Sequence, residues 1–195
     1  MVSAEPDADR LGAAPRSAAQ ARTMHVALEL FAEHGVSATS YQMIADVLGV
    51  TKAAVYHQFK TKNELIIAVT EMELARLEDA MEAAESESDP VRAREMLLDS
   101  VIDHAVGHRQ AATTLIFDPM IVKVLSDHLP FQRFVERVYG TLVGDRASQA
   151  AQVRLAMLSC AIGGTVAHPL VAGVDTETLR AELLAMARKV IDLPG

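Results

Sequence analysis

Apolar residues recur at helical spacing along almost the whole chain, and this pattern restricts the fold more than any other feature. In the first such stretch they lie three or four positions apart, at Ala21, Met24, Leu28 and Phe31. Residues with this spacing share one face of a helix. Comparable stretches follow to the C-terminus, separated by glycine and proline, whereas period-2 alternation and hairpin dipeptides such as Asn-Gly do not occur. We therefore predict an all-α protein of roughly nine helices, well above the usual helical content.

The composition suits a soluble intracellular protein. Half of the 195 residues are hydrophobic, which is enough for one compact domain or for a small and a larger domain. The single cysteine, Cys160, excludes an intrachain disulfide and favours a reducing compartment. The first residues lack the apolar stretch of a signal peptide, and no run of about 18 apolar residues occurs. We expect a cytoplasmic protein with no membrane-spanning segment.

Helix-ending and helix-capping residues divide the chain into parts. Residues 1–15 are small, acidic and proline-bearing, so we expect a disordered tail. A first helix ending at Gly35, a second capped by Ser40 and a third capped by Thr51 follow. A long helix begins at Lys62, and later helices extend to the C-terminus. We predict a small domain at residues 16–62 and a larger one at residues 63–195.

Charge separates the same two parts. The net charge is −8 overall, but residues 16–62 carry five basic and three acidic side chains, whereas residues 63–195 carry 12 basic and 20 acidic ones. The first part could therefore approach a polyanion that would repel the second. A chance difference between two solvated surfaces would give the same counts, so a binding function needs support from a motif.

That motif is a tight turn between the second and third helices. Two helices joined so closely need a small residue where they cross, which Ala45 supplies. They also need a residue that tolerates positive φ, and Gly49 does so at least cost. Apolar residues that would fill the wedge between the helices are Ile44, Leu48, Val50 and Val55, and Tyr41 and Val47 extend the apolar face of the second helix. The spacing predicts a helix-turn-helix, in which the second of the two helices enters the major groove of DNA.

The start of the third helix suits contact with DNA. The hydroxyl of Thr51 could donate to a phosphate beside the free N–H groups of the helix N-terminus. Lys52 adds a positive charge. Ala53 and Ala54 would allow close approach to base edges and contact with a thymine methyl group.

The end of the third helix continues the same surface. Tyr56 carries a hydroxyl on a rigid ring suited to a phosphate, and His57 could reach a phosphate or a base. Lys62 lies at a helix start, where a cation is disfavoured unless an anion is near. Phe59 we assign to the core. We predict that Tyr56, His57 and Lys62 face DNA.

Residues 24–65 resemble the DNA-binding domain of the TetR family of bacterial transcriptional regulators. The resemblance is carried by Ala27, Leu30, Phe31, His34-Gly35, Ile44-Ala45, Gly49-Val50, Tyr56, Phe59, Lys62, Glu64 and Leu65. By position, Thr51, Lys52, Tyr56, His57 and Lys62 match family DNA contacts, and Ser40 and Gln42 match contacts of the second helix with the DNA backbone. The family often has Thr at the position of Ser40, a charged residue near Gln42 and an acidic one at Met43.

The resemblance also implies the biological role. It implies a homodimer that reads a palindromic double-stranded operator through an N-terminal three-helix domain. The larger helical C-terminal domain would dimerise and bind a small-molecule effector. The protein is then expected to be a repressor that the effector releases from DNA.

The effector pocket is expected among the middle helices. Candidate lining residues are Met96, Val101, Leu115, Phe117, Met120, Ile121, Val124, Phe131, Phe134, Tyr139, Met157 and Cys160. Each could equally be ordinary core, and buried packing is our expectation for Cys160. Aromatic residues are few, whereas methionines line adaptable apolar cavities, so we expect an apolar effector.

The dimer interface is expected in the last two long helices, near residues 146–168 and 176–193. Small residues there would allow close helix packing between two copies, at Ala147, Ala150, Ala151, Ala156, Gly163 and Gly164. A helix pair that only completes its own core would look similar.

A histidine pair leaves a second class of function open. His104 and His108 are four residues apart on one helix face, a spacing that can bind a metal ion. With Asp103, Asp118 and His128 they would make a small helical metal-dependent hydrolase. Such a pair also arises by chance in a chain with seven histidines, and no compact catalytic motif accompanies it. We expect a regulator with no enzymatic activity, cofactor or metal.

Overall fold

The computed structural model describes Leu11 and residues 15–143 and 148–191. Within them the chain forms α1 (Ala18–His34), α2 (Tyr41–Leu48), α3 (Lys52–Gln58), α4 (Lys62–Ser86), α5 (Pro90–Gly107), α6 (Arg109–Phe117), α7 (Pro119–Ser126), α8 (Leu129–Val143), α9 (Gln149–Val166) and α10 (Thr176–Val190). A single 3₁₀ turn, Pro169–Val171, joins α9 to α10. No strand occurs in this described part, and the all-α prediction is confirmed.

The helix-turn-helix forms through local capping. The Ser40 hydroxyl caps α2 by accepting from the N–H of Met43, and Gly49 ends the helix in the left-handed region at φ 65°. The N–H of Val50 donates to the Ala45 carbonyl at 3.0 Å, and the N–H of Gly49 to the Asp46 carbonyl at 3.3 Å. This pair of bonds is a Schellman motif, which turns the chain sharply into α3.

The outward positions of Val47 and Val50 correct the sequence prediction. Val50 was expected to fill the wedge between α2 and α3, and Val47 to extend the apolar face of α2. The side chain of Val50 is 44% exposed and that of Val47 is 59% exposed. Val50 contributes its backbone to the Schellman motif instead, while Ile44, Ala45 and Val55 fill the wedge.

Two hydrophobic cores share α4. The first holds the inner faces of α1, α2 and α3 with the start of α4, and residues of α7 such as Ile121 and Val124 complete it. The second lies between the later part of α4 and helices α5, α8, α9 and α10. Helix α4 therefore contributes to both cores, and the domain boundary at residue 62 stays a prediction.

Some of the predicted features fall on residues outside the described part of the chain. Most of the predicted disordered tail, 1–15, lies outside the described residues, but Leu11 is buried within the second core. Residues 144–147, and Ala147 with them, also lie outside the described part. Each helix that the structure describes is too short or too polar to cross a membrane.

An ion-pair cluster fastens α4 to α8. The Arg137 guanidinium donates to both oxygens of Glu85, at 2.9 and 2.8 Å, and also to the fully buried carboxylate of Glu78. The hydrogen bonds that Arg137 donates to Glu85, followed by those to Glu78, raise the pKa of Arg137 above its usual range. The cluster holds the C-terminal half of α4 against α8.

Candidate DNA interface and effector cavity

Helix α3 is anchored on one face and open on the other. Val55 and Phe59 are fully buried against the first core, and the Thr23 hydroxyl on α1 donates to the Gln58 side chain at 2.9 Å. The Thr51 hydroxyl caps the helix by accepting from the N–H of Ala54 at 3.2 Å. The opposite face is exposed at Lys52, Ala53, Tyr56 and His57, with Ala54 half-buried beside it. These predicted contact residues therefore share one accessible surface.

Tyr56 is supported by neighbours that hold its ring in place. The ring is 54% exposed and meets the edge of Tyr41, with the two centroids 6.4 Å apart. The Lys60 ammonium lies 5.6 Å from the Tyr56 centroid, within cation–π range. Lys60 was absent from the predicted interface, although its position just after α3 and its charge were visible in the sequence. Burial raises the pKa of Tyr41 to about 12, so its hydroxyl stays protonated at neutral pH.

Ser40 and Gln42, the predicted phosphate contacts at the start of α2, differ in the hydrogen bonds that they already make. Ser40 is exposed and retains its hydroxyl hydrogen for a phosphate, because as a cap it accepts from Met43. Gln42 is also exposed, but its amide donates to the Asp46 carboxylate at 2.7 Å. The negative charge of Asp46 beside Gln42 opposes a phosphate contact there. Ser40 is thus the better placed of the pair.

Lys62 does not stand free in solvent. Its ammonium donates to the carbonyls of Ser37 at 3.2 Å and Thr39 at 2.7 Å. Burial lowers its pKa, and nearby Asp118 offsets part of that effect. A cation at this helix start is therefore explained by the carbonyls of the α1–α2 connection. A phosphate contact would have to compete with these two bonds.

A cavity of about 410 Å³ lies among helices α4 to α9. Of the predicted lining residues, Val101, Leu115, Phe131, Phe134 and Tyr139 line it. The full lining is Thr70, Leu74, Leu77, Val101, His104, Ala105, Ala112, Leu115, Ile116, Val122, Leu125, Ser126, Phe131, Phe134, Val135, Val138, Tyr139, Leu142, Leu155, Leu158, Ser159 and Ile162. Most of these side chains are aliphatic or aromatic, so the cavity is predominantly apolar.

The other predicted lining residues lie elsewhere. The residues outside the cavity are Met96, Phe117, Met120, Ile121, Val124, Met157 and Cys160. Ile121 and Val124 are buried in the first core, with Met120 packed against it. Phe117, Met157 and Cys160 are exposed, which corrects the expectation that Cys160 is buried. Helical spacing places these residues on apolar helix faces. It does not determine whether a face packs into a core, lines the cavity or is exposed to solvent.

Two polar side chains in the cavity wall have no hydrogen-bond partner among the described residues. They are Thr70, through its hydroxyl oxygen, and His104, through both ring nitrogens. Burial, then the neighbouring His108 and Arg76, lower the pKa of His104 to about 4. By contrast, Tyr139 and Ser159 bond to each other at 3.2 Å. Thr70 was not predicted as a cavity residue, because a lone threonine in a helical segment carries no signal of a binding role.

The residues proposed for a metal-dependent hydrolase do not converge. The rings of His104 and His108 stack with centroids 4.9 Å apart, but Asp103 pairs with Arg180 on the surface. Asp118 caps α7, and His128 lies 3.5 Å from a Glu71 oxygen. Within the described part of the chain, no group of three or more such residues is arranged to hold a metal ion. The hydrolase alternative therefore has no assembled site there.

Helices α9 and α10 expose apolar side chains to solvent. Val153 and Met157 are exposed on α9 and Met186 on α10, as is Leu170 on the turn between them. Gly163 lies on another face, since a Cβ there would come within 2.5 Å of Ile116 on α6. Its absent side chain thus permits close packing of α9 against α6 within the chain.

Comparisons with known proteins agree with the helix-turn-helix. Residues 24–69 match the family described as "Bacterial regulatory proteins, tetR family". The HTH-type transcriptional regulator AcrR of Shigella flexneri is 45% identical over 49 residues. That alignment covers 25% of this chain and only 23% of AcrR, so it concerns the N-terminal part alone.

Solved structures extend the likeness to the whole fold. A TetR-like transcriptional regulator from Rhodococcus sp. RHA1 is similar with a TM-score of 0.64 and 21% identity, covering 91% of this chain and 98% of that one. The transcriptional regulator FadR from Bacillus subtilis, solved in complex with stearoyl-CoA, has a TM-score of 0.64 and 15% identity, covering 90% and 99%. At such identities the likeness establishes the fold alone.

Proposed function

We propose that this protein is a repressor released from its operator by an apolar effector, because its residues 24–69 match the TetR family of bacterial regulatory proteins. The observation that carries the proposal is the exposed face of α3. Lys52, Ala53, Tyr56 and His57 project from a helix whose other face is fixed in the core. A rigid helix with cationic and hydroxyl groups around small residues suits insertion into a major groove. Its target would be chromosomal DNA, and its compartment the cytoplasm.

A dimer would present two such helices to a palindromic operator. The exposed apolar residues of α9 and α10, Val153, Met157 and Met186, support an interface on this side of the molecule. Two copies joined there would form a four-helix interface. To read successive major grooves, their α3 helices must lie roughly 34 Å apart.

The effector would bind in the cavity among α4 to α9. Its volume of about 410 Å³ falls within the range of small-molecule sites, about 300–1,000 Å³. The fold neighbour FadR was solved with stearoyl-CoA, and the apolar wall supports an apolar effector for this protein as well.

Asp118 offers a route from the cavity to the DNA-binding part. One of its oxygens caps α7 by accepting from Met120 at 2.9 Å, and the other accepts from the backbone N–H of Val36 at 2.9 Å. Val36 begins the connection between α1 and α2. Residues of α6 and α7 on either side of Asp118, such as Ile116 and Val122, line the cavity. An effector that displaces this corner would pull on the connection and change the spacing of the reading helices.

Binding of genomic DNA tests the proposal. Fragments captured by the purified protein would be sequenced, and the recovered site used in mobility-shift titrations at physiological salt. We expect Lys52→Ala to weaken binding roughly fivefold or more and to lower its salt dependence, because one phosphate contact is lost. The matched control is Arg92→Ala, which removes an exposed cation from α5 and should leave affinity unchanged. Equal affinity of wild type for recovered and random DNA would refute the repressor.

A further inference from the structure

Thr70 is an unusual threonine in this structure. A helical threonine commonly bonds its hydroxyl to the carbonyl four residues earlier, and both Thr113 and Thr114 do so on α6, at 2.9 and 2.8 Å. Thr70 is 1% exposed on α4 and lines the cavity, yet its hydroxyl has no partner among the described residues. Leaving such a group unpaired costs roughly 1–3 kcal/mol.

His104 faces the same cavity from α5. Both of its ring nitrogens are shielded from solvent and lack a partner among the described residues. Its lowered pKa, about 4, leaves the ring neutral at physiological pH, so it offers one donor and one acceptor. Ser126, Tyr139 and Ser159 also line the cavity, but their hydroxyls are already bonded.

The wall supplies no charge to a ligand. None of the described lining residues is Asp, Glu, Lys or Arg. An ionised group would therefore lose its hydration in the cavity without gaining a counter-ion, which costs far more than burying a neutral polar group. Two unpaired neutral groups in an apolar wall suit one uncharged polar oxygen on an otherwise apolar molecule.

We propose that the cavity binds an apolar molecule with a single uncharged hydroxyl or carbonyl group, and that Thr70 and His104 hydrogen bond to this group. The inference rests on the proposed function, because it names the chemical class of the effector. It also separates this protein from a sensor of free carboxylates, whose ligand would need a cationic partner in the wall.

A matched series of probes tests this assignment on the full-length protein. 4-Phenyl-1-butanol, 4-phenylbutanoate, 4-phenylbutylamine and n-butylbenzene share one skeleton and differ in their polar group. Calorimetric titration at pH 7.5 should give an alcohol affinity at least tenfold above those of the carboxylate and the ammonium ion, which is about 1.4 kcal/mol. Equal or tighter binding of either ion, or binding of none of the probes, would overturn the proposal.

Two variants assign the contact to its residues. Thr70→Val and His104→Leu should each weaken alcohol binding about fivefold while leaving n-butylbenzene affinity unchanged. Thr114→Val is the matched control, since it removes a hydroxyl outside the cavity and should change neither affinity. Thr70→Val should not lower the melting temperature, because it removes a buried unpaired hydroxyl. Unchanged alcohol affinity in both cavity variants would refute the contact.

Failure of the ligand assignment is distinguishable from failure of the repressor. Operator binding is measured without any probe, and probe binding is measured without DNA. A protein that binds its operator but prefers 4-phenylbutanoate would refute the neutral-ligand inference alone. Preference for the alcohol without specific DNA binding would refute the proposed repressor function but leave the ligand assignment standing.

Discussion

Gly49 joins α2 and α3 of the helix-turn-helix through its backbone conformation. At φ 65° it occupies the left-handed region, and a Cβ at this position would meet no atom within 4 Å. Space is therefore not the reason for glycine here; the dihedral angle is. An L-residue in this region costs roughly 1–2 kcal/mol.

Gly49→Ala should lower the free energy of unfolding by about 1 kcal/mol and weaken operator binding by tilting α3. The control is Gly107→Ala, which also has open space around its Cβ but no positive φ. That variant should be neutral or stabilising, since alanine suits a helix better than glycine. Chemical denaturation of both proteins measures the difference, and equal stabilities would contradict the role of φ.

At the scale of secondary-structure elements, helix ends connect the DNA-binding part to the helices that line the cavity. The α6–α7 corner reaches the α1–α2 connection through Asp118 and Val36, which are 82 positions apart in the chain. Lys62, at the start of α4, also holds this connection, by donating to the carbonyls of Ser37 and Thr39. These polar contacts add to the packing of α7 residues such as Ile121 in the first core.

Asp118→Ala should remove this attachment and change how an effector affects DNA binding. Asp175→Ala is the matched control, because Asp175 caps α10 by accepting from the N–H of Thr178 at 2.9 Å and lies far along the chain from α1 and α2. Each variant should lose about 1 kcal/mol of stability with its cap. Only Asp118→Ala should alter operator affinity or its response to an effector, as measured by fluorescence anisotropy. The same response in both variants would exclude Asp118 from the coupling.

At the scale of the whole molecule, α9 and α10 present an apolar surface to solvent. Met157 is 62% exposed there, and the neighbouring Val153 is similarly accessible. Because a second copy would bury this surface, oligomeric state and operator affinity should change together.

If two copies pair through this surface as proposed, Met157→Glu should yield a monomer and reduce operator affinity at least tenfold, because two half-sites would no longer be bound by one particle. Val91→Glu is the control, because it changes an apolar residue on α5 that is 39% exposed and lies outside α9 and α10. Sedimentation analysis of both variants measures the mass. A Met157→Glu protein that remains a dimer would place the interface on another surface.

Much of the fold could be predicted from the sequence, because helix caps and turns depend on neighbouring residues. The predicted starts of α2, α3 and α4 match those in the structure, because Ser40, Thr51 and Thr61 each cap the helix that follows them. The turn at Gly49 and the burial of Val55 and Phe59 were likewise predictable. These features depend on residues within a few positions of one another.

Contacts between distant residues decided the rest. The sequence alone determined the helices, the turn that forms the reading motif and the types of residue displayed on α3. Only the tertiary structure decided that Lys62 bonds to Ser37 and Thr39, that Val50 faces solvent, and that Thr70 and His104 face one cavity. Helical periodicity specifies that a face is apolar, but which partner covers that face depends on how the helices pack.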